Sequence, residues 1–214
     1  EILARFWATP KEERPSIGVV TFNRKQADLI DEILETRAEV DQTFRAAYAE
    51  ERERFEDGED MSFFVKNVEN VQGDERDVIV FSSTFGRNSQ GTFRRNFGVL
   101  GQKGGERRLN VAVTRARKKI VMVTSMPIAE ISDMLSTRQP PARPRDYLQG
   151  YFEYARAVSA GEFDAARAIL RRLMTEKPVS HQSREVESDG VADAVATFIR
   201  ELGYAPERVH DDGA

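Results

Sequence analysis

The segment SIGVVTFNRKQADLI, residues 16–30, decides the fold class of this chain. Residues 17–22 form a short and almost continuous apolar run, which is typical of a strand buried on both faces of a parallel sheet. Asn23 follows at once and can cap a helix, because its side chain can accept a hydrogen bond from a free backbone N–H of the first turn. A strand followed directly by a helix predicts an α/β fold with a parallel sheet.

Further apolar runs predict the remaining strands and helices of this sheet. We expect the helix after Asn23 to continue to about residue 55, and further strands at residues 61–68, 78–82 and 120–124. Before the last strand, residues 107–119 predict a short helix with one apolar stripe and one face rich in arginine. A basic helix face is most often only solvated surface. A helix at residues 128–135 should cover the sheet.

The character of the sequence changes after residue 136. Residues 137–145 contain Pro140, Pro141 and Pro144 and predict a linker. Residues 146–214 predict a helical extension, with helices at 147–160, 163–174 and 186–202. The predicted architecture is therefore an α/β domain at residues 1–136, in which helices flank a parallel sheet, followed by a linker and a small all-helical tail.

Composition limits the chemistry and the partners that are expected. The formal net charge of −4 gives no global attraction for polyanions, so a nucleic-acid site must be a local basic patch. The chain has no cysteine, which excludes disulfides and thiolate metal sites and fits a cytoplasmic location. Its two histidines, His181 and His210, lack a metal-ligand spacing, and no metal site is expected. No apolar run approaches the roughly 18 residues of a membrane span, so no membrane partner is expected.

Residues 83–106 form a long segment with little periodicity, rich in glycine and basic residues. Cations can contact phosphates and aromatic rings can stack on bases, so such a loop suits single-stranded nucleic acid. The alternative is an insertion whose phenylalanines pack locally, and the sequence favours neither. The residues concerned are Arg94, Arg95, Lys103, Phe85, Phe93 and Phe97.

A second polar turn, residues 69–77, contains Gly73 and joins two apolar runs. A strand, a glycine-bearing turn and another strand would place side chains at the carboxyl ends of parallel strands, where ligands bind in open α/β folds. The phosphate-binding pattern GxxxxGK[ST] is absent from all 214 residues. A phosphate-binding loop of this kind is therefore not expected in the chain.

Three segments together resemble a known family: residues 16–30, VENVQGDERDVIVFSS at 68–83 and RRLNVAVTRARKKIVMVTS at 107–125. They resemble motifs IV, V and VI of the second RecA-like domain of superfamily 1 helicases of the nonsense-decay type. Their order, strand context and spacing agree over about residues 15–127. One departure is Val71, which stands where this helicase type often has an aromatic residue before the QG pair.

The resemblance implies an ATP site shared with an upstream RecA-like domain. Arg115 matches the arginine that reaches the γ-phosphate, and Glu75 matches the glutamate that binds a ribose hydroxyl. Gly73 would let the backbone approach closely, and Gln72 would orient the same turn. Arg117 either assists Arg115 or is a surface or phosphate-contacting residue. ATP and Mg²⁺ would be bound mainly by the upstream domain, so this chain alone is expected neither to hydrolyse ATP nor to unwind nucleic acid.

The resemblance and the basic loop together imply single-stranded nucleic acid as the partner, with DNA favoured over RNA. Gln26 matches the motif IV glutamine, or it is an ordinary polar residue of a helix. The candidate nucleic-acid-binding residues are Thr21, Asn67, Asn70, Arg94, Arg95 and Arg108.

The sequence also resembles large bacterial proteins that join such a helicase core to a repair-nuclease-like domain. Acids near the end of the chain would open that domain, or would form one charged helix face; they are Glu185, Glu187, Asp189 and Asp193. Three functions are thus considered: the C-terminal motor domain of an ATP-dependent helicase or translocase, a nucleic-acid-binding module with no motor role, and a nuclease-associated domain.

Overall fold

A four-stranded parallel sheet forms the centre of the protein, in a computed structural model that describes residues 1–137 and 139–174. The strands are β1 (Ile17–Thr21), β2 (Phe55–Glu56), β3 (Glu59–Asp60), β4 (Phe64–Asn67), β5 (Arg76–Ser82) and β6 (Ala116–Val123). The order across the main sheet is β4-β1-β5-β6, and each neighbouring pair is parallel. Strands β2 and β3 form a separate antiparallel hairpin.

Helices cover both faces of this sheet. They are α1 (Ile2–Trp7), α2 (Arg24–Val40), α3 (Gln42–Arg52), α4 (Gly105–Val113), α5 (Ile128–Ile131), α6 (Met134–Thr137), α7 (Pro144–Ser159) and α8 (Phe163–Leu173). A parallel sheet with flanking helices and a helical extension is what the sequence predicts for a RecA-like domain, and the predicted fold class is confirmed. Among the residues described, no helix is long and apolar enough to cross a membrane.

The alternation of side chains along the inner strands divides the core between the two faces. On one face, Val19 and Val80 pack with residues of α1 and α3, including Trp7 and Tyr48. On the other face, the core contains Val20, Ile79, Phe81, Leu109 and Phe152. Because every residue of β1 is buried, its nearly continuous apolar sequence is explained by contacts on both sides.

Two predicted helices end earlier than their sequence patterns suggest. The helix after Asn23 ends at Val40, because Asp41 accepts a hydrogen bond from the backbone N–H of Phe44 at 3.0 Å and caps α3. This hydrogen bond is the main cause that lowers the pKa of Asp41. The basic helix predicted at residues 107–119 ends at Val113, because β6 begins to pair with β5 at Ala116. Residues 117–119 therefore lie on a strand.

Helix α7 belongs to the core of the sheet. Its residues Leu148 and Phe152 are almost fully buried in the same cluster as the strand residues. Gln149, which is 1% exposed, donates from its amide to the carbonyl oxygens of Ile128 and Ser132 at 2.9 and 2.7 Å. Residues 144 and 145, predicted as part of a linker, form the first turn of α7. The core of the sheet therefore extends as far as Phe152.

A glycine in β1 makes room for an aromatic ring at the edge of the sheet. A Cβ atom at Gly18 would lie 2.3 Å from the Cζ atom of Phe64 on the neighbouring strand β4. The Phe64 ring in turn lies beneath two cations, at 5.1 Å from the Nζ atom of Lys66 and 5.0 Å from the Cζ atom of Arg76. Gly18 thus fixes the ring against which these two side chains pack.

Candidate functional site

Two turns meet at the amino ends of β5 and β6: residues 72–75, called here the QGDE turn, and residues 114–117, called the TRAR turn. Arg76 pairs with Ala116 while Val78 pairs with Lys119, so β6 carries one extra residue there. Such a bulge re-aims the side chains beside it. The QGDE turn was expected at the carboxyl ends of the strands, and this expectation is wrong. Strands β4 and β5 are parallel, so the chain must return to the amino edge before β5 begins.

The two side chains that the resemblance assigns to ATP are in contact with each other. Nη1 of Arg115 lies 3.3 Å from Oε1 of Glu75, and the Arg115 side chain is 19% exposed. Nε of Arg115 also donates to the carbonyl oxygen of Val111 at 3.0 Å, which fixes the guanidinium against the end of α4. An exposed ion pair is worth only about 0–1 kcal/mol, so Glu75, which is 43% exposed, can exchange Arg115 for another partner at small cost.

Arg117 completes this charged cluster. Its Nε lies 3.6 Å from Oε2 of Glu75, and its Nη2 lies 2.9 Å from Oε2 of Glu59 on β3. The hydrogen bond to Glu59 is the main cause that raises the pKa of Arg117. Glu75 is thus placed between two guanidinium groups, whereas Arg117 is shared between two carboxylates. Of the two arginines, Arg115 forms an ion pair with Glu75 only, within the described residues.

The QGDE turn is held by its neighbours on both sides. Val71, just before it, is fully buried in the core where the resemblance has an aromatic residue. Asp74 forms an ion pair with Lys66 at 2.8 Å. Gly73 has φ of +90°, a conformation that L side chains rarely adopt, and open space where a Cβ would lie. Gln72 is exposed on this turn, and its predicted orienting role stays a prediction.

Arg76 is a buried residue of this site that the sequence reasoning missed. Its side chain is 4% exposed, and burial lowers the pKa of its guanidinium. Nη1 donates to the carbonyl oxygen of Glu75 and Nε to that of Ser62, both at 2.7 Å. The signal was present, because a basic residue occupies the first position of a strand whose central residues, 78–81, are all apolar and buried.

The nucleic-acid candidates at strand ends lie at the opposite, carboxyl edge of the sheet. Thr21 is fully buried and its hydroxyl donates to the carbonyl oxygen of Asn23 at 2.7 Å, so it is not exposed to a ligand. Asn67 is 7% exposed, and its Oδ1 has no hydrogen-bond partner among the described residues. Asn70 is exposed. The predicted cap is confirmed, since Asn23 accepts from the backbone N–H of Gln26 at 2.9 Å.

The long loop after β5 is ordered by its own side chains. Phe97 is 1% exposed, and its ring lies 5.8 Å from that of Phe85 and 6.0 Å from that of Phe93. The three rings pack locally, as the alternative predicts, while stacking on bases stays a prediction. Arg95 forms a two-pronged ion pair with Asp133 at 2.8 and 3.0 Å, which lowers the pKa of Asp133.

Two of the candidate arginines are left for a ligand. Arg94 and Arg108 form no ion pair with the residues that the structure describes. Arg94 lines a cavity of about 740 Å³ together with Asn23, Thr84 and Arg87. Thr84 has φ of +62°, which is strained for a β-branched residue, and its buried hydroxyl lacks a partner in the described part of the chain.

The acids Glu185, Glu187, Asp189 and Asp193 lie outside the described residues, as do His181 and His210. Within residues 1–137 and 139–174, no three histidine, aspartate or glutamate side chains are grouped so that they could hold a metal ion.

Comparison with known proteins identifies the family. Residues 1–127 match the family described as AAA domain. The chain is 43% identical over 165 residues to an uncharacterized ATP-dependent helicase of Mycoplasma genitalium, and 42% identical over 110 residues to its homolog in Mycoplasma pneumoniae. These matches span 77% and 51% of this chain but only 14% and 9% of the relatives. Since residues 1–127 of 214 match, the chain belongs to the AAA domain family, and its relatives support a domain of helicase type.

Proposed function

We propose that this chain is the C-terminal motor domain of an ATP-dependent helicase or translocase, which completes an ATP site with Arg115 and binds single-stranded nucleic acid. The observation that carries the proposal is the contact between Glu75 and Arg115 at the amino ends of neighbouring strands. Two residues from separate motifs of the resemblance, 40 positions apart in sequence, meet there. Both Mycoplasma relatives are named ATP-dependent helicases, which supports this activity in the parent protein.

The chemistry of this cluster fits a nucleotide. A planar, positively charged guanidinium stabilises the charge that develops on a transferring phosphoryl group, and Arg115 has that group held by Val111 and Glu75. The carboxylate of Glu75 can accept a hydrogen bond from a ribose hydroxyl. The rest of the phosphate cradle and the Mg²⁺ ligands would come from an upstream RecA-like domain, because the 214 residues contain no GxxxxGK[ST] pattern.

The chain alone should therefore not turn over ATP. We expect phosphate release by residues 1–214 to stay at the buffer level, with or without single-stranded DNA, because half of the site is supplied elsewhere. The native protein, which here means this chain together with the proposed upstream domain, should hydrolyse ATP faster when single-stranded DNA is added. ATP turnover by the isolated chain at the rate of the native protein would contradict the shared site.

The packing of the phenylalanines limits the contacts that the loop can offer to a nucleic acid. With Phe85, Phe93 and Phe97 packed together, the loop presents cations rather than stacking surfaces. Recognition should then act mainly through the phosphates, without sequence preference. We propose single-stranded DNA as this partner.

The two alternatives are a binding module without a motor role and a nuclease-associated domain. They predict DNA binding or DNA cleavage that does not depend on Arg115. A downstream nuclease-like domain stays a prediction.

The salt dependence of DNA binding should distinguish Arg108, which forms no ion pair with the described residues, from Arg95, which is paired with Asp133. In the native protein, Arg108→Ala should weaken binding of single-stranded DNA and lower the slope of log K against log salt by about 0.7, the value of one lost phosphate contact. Arg95→Ala is the matched control, because the Arg95 guanidinium is already bound to Asp133, and it should leave the slope unchanged. Fluorescence anisotropy at several salt concentrations measures both slopes. Equal slopes for the two variants would refute the assignment of Arg108.

A further inference from the structure

We propose that Arg76 is a positioning residue, which sets the placement of Glu75 relative to Arg115. The inference rests on the proposed function, because it assigns Arg76 a role in the same ATP site. Arg76 touches neither the nucleotide nor the reacting atoms in this assignment; it acts through the two turns that carry Glu75 and Arg115.

The contacts of Arg76 join those two turns directly. Its side chain donates to the carbonyl oxygen of Glu75 at 2.7 Å, and its backbone N–H donates to the carbonyl oxygen of Arg115 at 3.0 Å. A third hydrogen bond, to the carbonyl oxygen of Ser62 at 2.7 Å, ties both turns to the segment that leads into β4. One residue thus fixes three chain segments that are distant in sequence.

Stability alone does not explain an arginine at this position. The carboxylate of Asp60 lies 3.5 Å away and is itself 60% exposed, so water competes with Arg76 for it and the buried guanidinium is only partly compensated. Burying a partly compensated charge is costly, and an apolar side chain of similar volume is often at least as stabilising. What an apolar side chain lacks is the pair of directed hydrogen bonds to backbone carbonyls. The role that an arginine can fill here is therefore to fix the positions of the backbone carbonyls of Glu75 and Ser62.

The surroundings hold the guanidinium rigidly. Its Cζ atom lies 5.0 Å from the centroid of the Phe64 ring, and that ring fills the space left at Gly18. Lys66 lies over the same ring and forms an ion pair with Asp74 of the QGDE turn. Two neighbouring residues of that turn, Asp74 and Glu75, are thus held by two cations that share one aromatic surface.

Placement matters because the site acts by positioned charge. A displacement of about 1 Å in a catalytic arrangement can lower a rate by about a hundredfold. Loss of the bond to the Glu75 carbonyl frees the QGDE turn, and a shift of β5 at Arg76 moves the TRAR turn with it. Binding of ATP, through Glu75, and turnover, through Arg115, should then change together.

The test is Arg76→Lys in the native protein. Lysine keeps the charge but lacks the fork that reaches two carbonyl oxygens. We expect kcat for ATP to fall by about tenfold to a hundredfold, KM to rise, and the Kd of a non-hydrolysable ATP analogue, measured by calorimetry, to rise as well. Arg14→Lys is the matched control, since Arg14 is also buried, at 10% exposed, and pairs with Glu51 away from the two turns. It should leave KM and that Kd unchanged.

Three outcomes bear on the inference. A higher KM and a weaker analogue affinity for Arg76→Lys but not for Arg14→Lys would support it, because a general loss of stability lowers the folded fraction without changing either constant. Equal behaviour of the two variants would overturn it. Should Arg76→Lys not fold, Phe64→Leu removes the ring beneath the guanidinium, and unchanged KM and analogue affinity there would overturn it. Arg115→Ala, assayed in parallel, separates the two proposals: normal turnover by that variant would refute the proposed function itself.

Discussion

Replacing Arg115 by alanine should abolish the ATP hydrolysis that single-stranded DNA stimulates in the native protein. We expect kcat to fall by on the order of a thousandfold or more, which is the typical effect of removing an arginine that stabilises a transferring phosphoryl group. The guanidinium is 19% exposed and is held by the carbonyl oxygen of Val111 and the carboxylate of Glu75, so the proposed site would lose a positioned charge. Steady-state phosphate release, with and without DNA, measures the effect.

The affinity for single-stranded DNA should be nearly unchanged in the same variant, because the Arg115 side chain contacts Val111, Thr114 and Glu75 and none of the candidate DNA residues. Lys118→Ala is a suitable control. Lys118 directly follows Arg117 of the TRAR turn. It is 72% exposed and pairs only with Asp77 in the described part of the chain. It should keep normal turnover. Normal turnover by Arg115→Ala would instead refute the motor assignment.

Replacing Phe152 by alanine should lower the free energy of unfolding by about 3–5 kcal/mol, the usual cost of removing a fully buried aromatic side chain. Phe152 is 2% exposed, and its ring meets that of Phe22 edge to face at 6.1 Å between centroids. Because Phe22 directly follows β1, the loss should act on the central sheet rather than on the extension alone.

The only tryptophan of the chain makes this result easy to interpret. Trp7 is 5% exposed and lies in the core on the opposite face of the sheet from Phe152. Denaturant unfolding followed by Trp7 fluorescence should show the full shift of Phe152→Ala in one transition. Val158→Ala on the same helix, at a position 40% exposed, should change stability by less than about 0.5 kcal/mol. A Trp7 transition that does not move would show that α7 unfolds independently.

The central unit of the fold could be predicted because its determinants are local. The buried strand at residues 17–22 is β1, and the cap at Asn23 forms the expected hydrogen bond to Gln26. Both features depend on residues within one short segment. The family match ends at residue 127, yet the core reaches Phe152. The sequence predicts α7 as a helix, but it does not predict that α7 packs on the sheet. Burial against a distant strand leaves no signal beyond an amphipathic pattern.

The parts that could not be predicted depend on contacts between distant residues. Arg95 reads as a free cation in the sequence, whereas Asp133, 38 residues later, binds it. The end of α4 at Val113 is decided by pairing of β6 with β5. Of the candidate site, Glu75 and Arg115 could be named from their motifs, but their contact could not. Arg76 was missed because a local pattern treats a basic residue as exposed by default.

The separation of the two candidate regions along the strands has a mechanical consequence. Strand β5 has seven residues, so at about 3.3 Å per residue it holds the two edges roughly 20 Å apart. In the proposed motor, the closely packed central strands would act as a stiff lever between a nucleotide at one edge of the sheet and DNA at the other. A hinge rotation of about 10° at one end would displace the other by about 3.5 Å, close to the roughly 3.4 Å between successive nucleotides of a stacked strand. In the proposed motor, a small closure around one nucleotide triphosphate would therefore match a step of one base.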